Sequence, residues 1–186
     1  MSPSVRKNAV AARSTNVVDP AWAAVDWTLG RAMRTARFWW IALGYFCGLY
    51  AWYAVQVHQT KYLIEIGFSP TVAAWALGLV SLLGIPGQIA LGHISDRIGR
   101  EWVWTAGALG FAACYVLLLL LQAFPSTAVL YLMVAALGAL GYGLTSVFAA
   151  IVVEIFQGKH YGTIFGTLML AAITGGAVGP WATGAL

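Results

Sequence analysis

The sequence predicts an all-α membrane protein with about five transmembrane helices. Only 9% of its 186 residues are charged, whereas soluble domains carry about a quarter, and its mean hydropathy is +0.80. From Trp102 to Val153 there is no Asp, Glu, Lys or Arg. Because ~20 apolar residues cross the hydrocarbon layer, that stretch is long enough to cross twice. Trp, Tyr and Phe make up 13% of the chain, which is typical of proteins whose rings lie at headgroup depth.

The N-terminal part divides into two segments before a transmembrane domain at 38–186. Residues 1–25 mix Ser, Asn, Pro and Ala, and we expect a flexible, basic cytoplasmic tail. Residues 26–37 are predicted to form an amphipathic pre-membrane segment, in which Thr28 caps a short helix lying on the membrane surface. A plain basic linker is the alternative interpretation. The basic residues of this segment recur every three positions: Arg31, Arg34 and Arg37.

Five apolar runs follow, and the breaks between them are turns. "GFSP" at 67–70 ends in a proline that suits the first position of a helix. "QAFPST" at 122–127 and the two-glycine stretch at 154–162 have turn composition. The predicted spans are Phe38–His58 with a possible extension to Glu65, Thr71–Gly92, Trp102–Gln122, Ala128–Val152 and Thr163–Ala185.

The basic residues predict the orientation of these spans. Six of the ten Lys and Arg residues precede the first apolar run. With alternating spans, Arg97, Arg100 and Lys159 fall on the same side and only Lys61 on the other. Because cytoplasmic loops carry the excess of basic residues, we expect a multi-pass membrane protein with a cytoplasmic N-terminus. The net charge of +4 therefore indicates topology and not nucleic-acid binding.

The composition argues against an enzyme. No predicted span carries a His, Asp, Glu or Cys cluster with metal-ligand or triad spacing, so we expect no catalytic residue, metal or cofactor. Cys47 and Cys114 each fall inside a span, and we interpret them as buried small residues and not as a disulfide.

The stretch "GHISDRIGR" at 92–100 concentrates charge and glycine where the second span ends. We expect an inner loop in which Gly92 lets another helix approach closely and Gly99 permits the turn. Asp96 can accept hydrogen bonds from the N-terminus of a neighbouring helix, while Arg97 and Arg100 can bind a carboxylate or the last carbonyls of a helix. An ordinary solvated turn is the alternative.

The spacing Gly-x-x-x-Asp-Arg-x-Gly-Arg resembles the signature loop of the major facilitator superfamily of secondary transporters. That loop joins the second and third helices of each half of the fold, and Gly92, Asp96, Arg97, Gly99 and Arg100 all fit it. The match departs at Glu101, where the family commonly has Lys or Arg. "DWTLGRAMRTARFWWIALGYF", "YGLTSVFAAIVVEIFQGKHYGTIFG" and "GGAVGPWATGAL" are similar to further parts of the family's C-terminal half. The resemblance covers residues 26–186, matches the seventh to eleventh helices, and is nearest to the oxalate–formate and monocarboxylate branch.

The resemblance implies a secondary transporter that moves a small organic solute, a carboxylate among the candidates, by alternating access. The family builds its solute site between two six-helix halves, so the implied partners are the bilayer, the solute, and a missing N-terminal half or further copies. In the family the signature loop holds neighbouring helix ends together. We therefore expect Asp96 to pair with the start of the fifth span near Gly162 and Thr163, and Glu154 with Arg97 or Arg100. A truncated, non-transporting membrane protein with a structural or regulatory role is the alternative.

Polar residues inside the spans are the candidates for lining the solute site, because such groups face a cavity or another helix. Four residues of the first span share one helical face at spacings of seven, four and three, and Gln88 is the candidate of the second span. His58 could titrate and couple transport to protons, although a lone interfacial histidine is the simpler interpretation. The four residues of the first span are Tyr45, Trp52, Gln56 and Gln59.

Overall fold

The computed structural model describes residues 20–185, and this part of the chain contains helices and turns without a strand. A π-helical segment, Ala136–Gly141, joins the sixth and seventh helices into one run. The helices are α1 Pro20–Ala23, α2 Leu29–Ala32, α3 Ala36–Glu65, α4 Pro70–Ile98, α5 Arg100–Ala123, α6 Thr127–Ala135, α7 Gly143–Ile155 and α8 Tyr161–Gly184.

Five of these units are long and apolar enough to cross a membrane: α3, α4, α5, the run 127–155 and α8. The predicted all-α class and the five spans are therefore confirmed. The start of α3, the α4–α5 turn, the end of α7 and the start of α8 meet at one end of the bundle. We call this the basic end, because Arg97, Arg100 and Lys159 lie there.

Side-chain caps start the first two long helices. The Thr35 hydroxyl accepts from the backbone N–H of Phe38 (3.4 Å) at the start of α3. The Ser69 hydroxyl accepts from the N–H of Val72 (3.3 Å), and Pro70 takes the first position of α4. Both arrangements satisfy an N–H that has no partner within the helix, and the second confirms the turn predicted at "GFSP".

The stretch "GHISDRIGR" is mostly helix, so the loop expected there is wrong. Helix α4 continues to Ile98, α5 begins at Arg100, and Gly99 alone lies between them. Its φ of +101° lies in the left-handed region, which glycine adopts without a Cβ clash. Asp96 and Arg97 are exposed. The helix can therefore extend past the apolar run, because neither charged side chain has to be removed from solvent.

Glycines bring α4 and α5 into backbone contact with the π-helical segment. A Cβ on Gly87 would lie 2.7 Å from the carbonyl oxygen of Ala139, and one on Gly138 would lie 2.8 Å from that of Val80. Helix α5 approaches the same segment at Gly110. Small residues permit such close contacts between apolar helices, so α4, α5 and the run 127–155 pack as one tight unit.

The most extensive helix pair in the described part is α3 with α8. A Cβ on Gly179 would lie 2.5 Å from the Tyr50 carbonyl oxygen, and one on Gly175 would overlap the carbonyl group of Phe46. Helix α8 therefore lies with its glycine face directly on the backbone of α3.

The segment before α3 packs onto the bundle at the basic end. Trp27 is 5% exposed, and its ring meets Phe156 edge-on at 5.3 Å. The Trp22 indole N–H donates to the Ile155 carbonyl oxygen (2.7 Å), and the Arg37 guanidinium lies 3.8 Å over the Trp22 ring.

This packing adds protein contacts to residues 20–37, whose division into a tail and an amphipathic pre-membrane segment stays a prediction. Thr28 does cap α2, as expected, and accepts from the Arg31 N–H. Trp22 and Trp27 both pack on Phe156. The Trp22 indole N–H binds the Ile155 carbonyl oxygen at the end of α7, which has no partner within the helix, and the Trp27 indole N–H donates to the Trp22 carbonyl oxygen. Residues 1–19 of the predicted tail lie outside the described part.

The two cysteines lie in different surroundings. Cys114 is buried as predicted, whereas Cys47 is exposed, so the prediction was wrong for Cys47. A position inside a membrane span does not fix burial within the protein, because each spanning helix here keeps one face outside the bundle.

Candidate functional site

Arg100 is the centre of an ionic cluster at the basic end. Its Nη2 lies 2.6 Å from Asp96 Oδ1, its Nε donates to Glu154 Oε1 at 3.0 Å, and its Nη1 donates to the Ser95 hydroxyl. The Arg100 side chain is 21% exposed, while those of Asp96 and Glu154 are 61% and 55% exposed. This cluster joins the α4–α5 turn to the end of α7.

The cluster decides between the pairings that the sequence left open. Glu154 binds Arg100, while Arg97 is exposed and forms no ion pair with any described residue. Asp96 does not meet the start of α8 near Gly162 and Thr163. It lies one helical turn before Arg100 and pairs with that nearer cation, and α4 packs extensively on α7.

Ser95 is a member of the cluster that sequence reasoning missed. It is 2% exposed, accepts from Arg100, and donates to the Gly92 carbonyl oxygen at 2.6 Å. A Cβ on Gly92 would lie 3.7 Å from Ser146 of α7, which is an ordinary contact distance, so the packing of α7 here does not require glycine. The sequence feature that could have identified Ser95 is its position one helical turn before Gly99, which ends α4.

A groove of about 430 Å³ opens beside the cluster between α3, α5 and α7, and Trp40, Glu101 and Trp104 are among its walls. Tyr45, expected to line the solute site, forms the floor of this groove and is 1% exposed. Its hydroxyl donates to the Phe148 carbonyl oxygen and its ring stacks on that of Phe148 at 4.3 Å. Tyr45 therefore joins α3 to α7.

The candidates further along α3 meet Tyr142, which the sequence analysis did not select. Gln56 Nε2 donates to the Tyr142 hydroxyl oxygen at 3.2 Å, and the Trp52 and Tyr142 rings lie 4.1 Å apart. Gln59 is 2% exposed. Tyr142 follows the π-helical segment directly, and no local sequence signal links it to a glutamine 86 residues earlier.

A second groove, of about 350 Å³, lies between α3, α7 and α8. Trp52 lines it, so this candidate faces both Tyr142 and an open surface. The other walls are aromatic, apolar or hydroxyl side chains, including Tyr53, Thr145, Phe148, Phe165 and Met169.

The two remaining candidates lie apart from the Gln56–Tyr142 contact. Gln88 is half-buried on α4 and its side chain makes no hydrogen bond within residues 20–185. His58 Nε2 lies 3.0 Å from the Pro180 carbonyl oxygen, which is one turn before the end of α8. His58 therefore fastens α3 to α8 away from the basic end.

The side chains at these sites can form ion pairs, hydrogen bonds and aromatic contacts. Over residues 20–185, no three His, Cys, Asp or Glu side chains gather where they could hold a metal ion. The arrangement can bind a small molecule through amide, hydroxyl and ring groups, and it can fasten or release helix ends at the basic end.

Comparison with known proteins places these features in a family. The family model of the Major Facilitator Superfamily matches residues 6–186. The chain is 31% identical over 154 residues to the uncharacterized MFS-type transporter YhjX of Escherichia coli, covering 75% of this chain and 36% of that protein. It is 30% identical over 142 residues to the glycerol-3-phosphate transporter of Bacillus subtilis, covering 75% of this chain and 32% of that protein.

The match is consistent along the chain. It includes the α4–α5 turn and extends before residue 26, where the resemblance in the sequence began. The chain spans about a third of the length of the curated relatives that it matches. It is a multi-pass membrane protein that belongs to the Major Facilitator Superfamily of transporters.

Proposed function

We propose that this chain supplies part of the C-terminal half of a secondary transporter, which moves a small organic solute by alternating access. The observation that carries the proposal is the Arg100 cluster, because it links the α4–α5 turn to the end of α7 through partly exposed ion pairs. Pairs of this kind contribute up to about 1 kcal/mol each. They are strong enough to favour one arrangement of helix ends and weak enough to break during a transport cycle.

The solute site of the proposed transporter lies on the face of α3, where the polar candidates meet α7. Trp52 lines the second groove, and Gln56 and Tyr142 lie immediately behind it. Gln88 on α4 is an additional candidate. His58 is a proposed proton-coupling group, and its contact with the Pro180 carbonyl oxygen would link any change in its charge to α8.

The proposed orientation has the basic end in the cytoplasm of a bacterial cell, with the protein in the inner membrane. The bias of Lys and Arg towards that end supports it. Because the family's solute site lies between two halves, we propose that the chain works with a separate N-terminal half or with further copies. The oxalate–formate and monocarboxylate branch stays a prediction from the sequence.

The nature of the solute is limited by the charges on the spans. In the part of the chain that the structure describes, cationic side chains occur at or near the ends of the five spanning units and not along their middle. Glycerol 3-phosphate, named for the Bacillus subtilis relative, is an anion, as is any carboxylate. A cation for such a solute would have to come from a partner polypeptide.

The proposal is tested by uptake in cells that express the chain alone or together with the polypeptide encoded next to it. A panel of a labelled polyol, a monocarboxylate and glycerol 3-phosphate covers the solute classes considered. We expect uptake of one class in the paired expression, and its loss when Arg100→Ala is introduced. Absence of uptake in both cases, with the chain present in the membrane, would favour the non-transporting structural or regulatory role.

A further inference from the structure

Three buried atoms of two glutamine side chains on α3 make no hydrogen bond with any described residue. Gln56 uses Nε2 on the Tyr142 hydroxyl, but its Oε1 is buried and has no partner among residues 20–185. Gln59 is 2% exposed, and both its Oε1 and its Nε2 are buried without a described partner. Buried polar atoms are otherwise almost always hydrogen-bonded, so these three atoms together indicate a ligand.

The two amides lie side by side. They are three residues apart on α3, a spacing that places side chains on neighbouring positions of one helical face. Tyr142 fixes one of them, and its own ring is held between Trp52 at 4.1 Å and the backbone of Gly84, where a Cβ would lie 2.6 Å from the ring. Packing on both sides of the ring therefore sets the position of the Tyr142 hydroxyl, and through it that of the Gln56 amide.

The unused atoms define the chemistry of the ligand. Two carbonyl oxygens, on Gln56 and Gln59, require hydrogen-bond donors, and Nε2 of Gln59 requires an acceptor. A hydroxyl group offers one donor together with an acceptor, so one water molecule or two hydroxyl groups of a polyol supply both donors and the acceptor. A carboxylate offers acceptors only and would bring negative charge next to two carbonyl oxygens, whereas an ammonium group offers donors only.

Charge around the site agrees with a neutral ligand. Between residues 38 and 60, α3 carries no Asp, Glu, Lys or Arg. The nearest charged residues along the helix are Lys61 and Glu65, which lie 3.7 Å apart with side chains 79% and 61% exposed. A charged ligand would therefore lose its hydration without gaining a counter-charge from this helix.

We propose that Gln56, Gln59 and Tyr142 form a binding site for a neutral hydroxyl group, supplied either by bound water or by a hydroxylated solute. Tyr142 is its positioning residue, because it occupies Nε2 of Gln56 and leaves Oε1 to accept from the ligand. The part concerning the solute rests on the transport function proposed above. The site itself does not, because binding is measurable on this chain without transport.

The first experiment tests for bound water in the full chain reconstituted in lipid nanodiscs. Radiolytic hydroxyl labelling marks side chains next to ordered water, and mass spectrometry reports the labelling of Trp52 and Tyr142. We expect it to fall severalfold in Gln59→Leu and to stay unchanged in Gln122→Leu, which removes an exposed amide at the end of α5. Tyr142→Phe, which keeps the ring, is expected to lower the labelling of Trp52.

The second experiment tests for a solute hydroxyl by thermal unfolding of the same samples. Propane-1,2-diol, propionate and propylamine have the same number of carbons and are compared at equal ionic strength. At ten times its dissociation constant a specific ligand raises the unfolding temperature by roughly 3–6 °C. We expect such a shift for the diol in the wild type and in Gln122→Leu, but not in Gln59→Leu. Because a polyol that stabilises proteins in general would shift all three samples equally, a difference between them reports binding at Gln59.

The outcomes separate the two sources of the hydroxyl group. Labelling that depends on Gln59 without a specific diol shift assigns the site to water, and a diol shift that depends on Gln59 assigns it to a solute. If neither signal depends on Gln59, or if propionate or propylamine stabilises the chain as much as the diol, the site as proposed does not exist. A failure of uptake with both binding signals intact would overturn the transport function alone.

Discussion

Removal of the Arg100 side chain is expected to destabilise the chain by about 1–3 kcal/mol. Its two partly exposed ion pairs, with Asp96 and Glu154, contribute about 0.2–1 kcal/mol each. Its hydrogen bond to Ser95 adds about 0.5–1.5 kcal/mol. Arg97→Ala is the matched control, because Arg97 is exposed, and such a change alters stability by about 0.5 kcal/mol or less.

The assay is reversible unfolding of the full chain in mixed micelles with increasing dodecyl sulfate. Salt provides an internal check, because the screening length falls from about 10 Å at 0.1 M to about 3 Å at 1 M. The difference between Arg100→Ala and Arg97→Ala should therefore shrink at high salt. Exchanging the charges of Arg100 and Glu154 should restore only part of the loss, since a glutamate at position 100 would face Asp96.

A double-mutant cycle on Arg100 and Glu154 decides whether this reasoning is correct. We expect a coupling free energy of about 0.5–1 kcal/mol. The reasoning is refuted if the two substitutions add within about 0.3 kcal/mol, or if Arg97→Ala destabilises the chain as much as Arg100→Ala.

Two further predictions concern packing, and the same unfolding assay measures both. Gly87→Ala should destabilise by more than about 1 kcal/mol, because its Cβ would lie 2.7 Å from the carbonyl oxygen of Ala139. Gly78→Ala should be neutral or stabilising, because no atom lies within 4 Å of the added Cβ. If the two substitutions change the free energy of unfolding equally, the close contact between Gly87 and Ala139 is contradicted. Trp22→Phe should lower the free energy of unfolding by about 1 kcal/mol, because it removes the hydrogen bond from the indole N–H to the Ile155 carbonyl oxygen. Trp181→Phe, at a residue 75% exposed, should lower the free energy of unfolding by less. If Trp22→Phe destabilises the chain less than Trp181→Phe, the Trp22 hydrogen bond does not stabilise the fold.

The five spans were predictable because a membrane imposes both the length and the apolar composition of each helix. The end of α4 was not, because charge was taken as evidence of a loop. Asp96 and Arg97 lie on an exposed helical surface, where charge is compatible with helix. The π-helical segment 136–141 left no signal either, since one extra residue in a turn does not change an uninterrupted apolar run.

The candidate site was predictable where its members are close along the chain. The spacing in "GHISDRIGR" identified the residues of the ionic cluster, but the choice of Arg100 over Arg97 as the partner of Glu154 depends on how α7 packs. Tyr142 was not predictable from α3, because the contact with Gln56 joins elements 86 residues apart. The hydrogen bond of Trp22 was not predictable for the same reason, because its acceptor lies 133 residues away in the sequence.

The close glycine contacts have a mechanical consequence. Glycine lets backbone lie directly against backbone where α4 and α5 meet the π-helical segment and where α8 meets α3. We therefore expect these helices to move less relative to each other at the glycine contacts than where α3 and α8 face α7, because the packing there is less extensive. Tyr45, Gln56 and the second groove all lie along that boundary, so we expect their contacts to be the first to rearrange when these helices move.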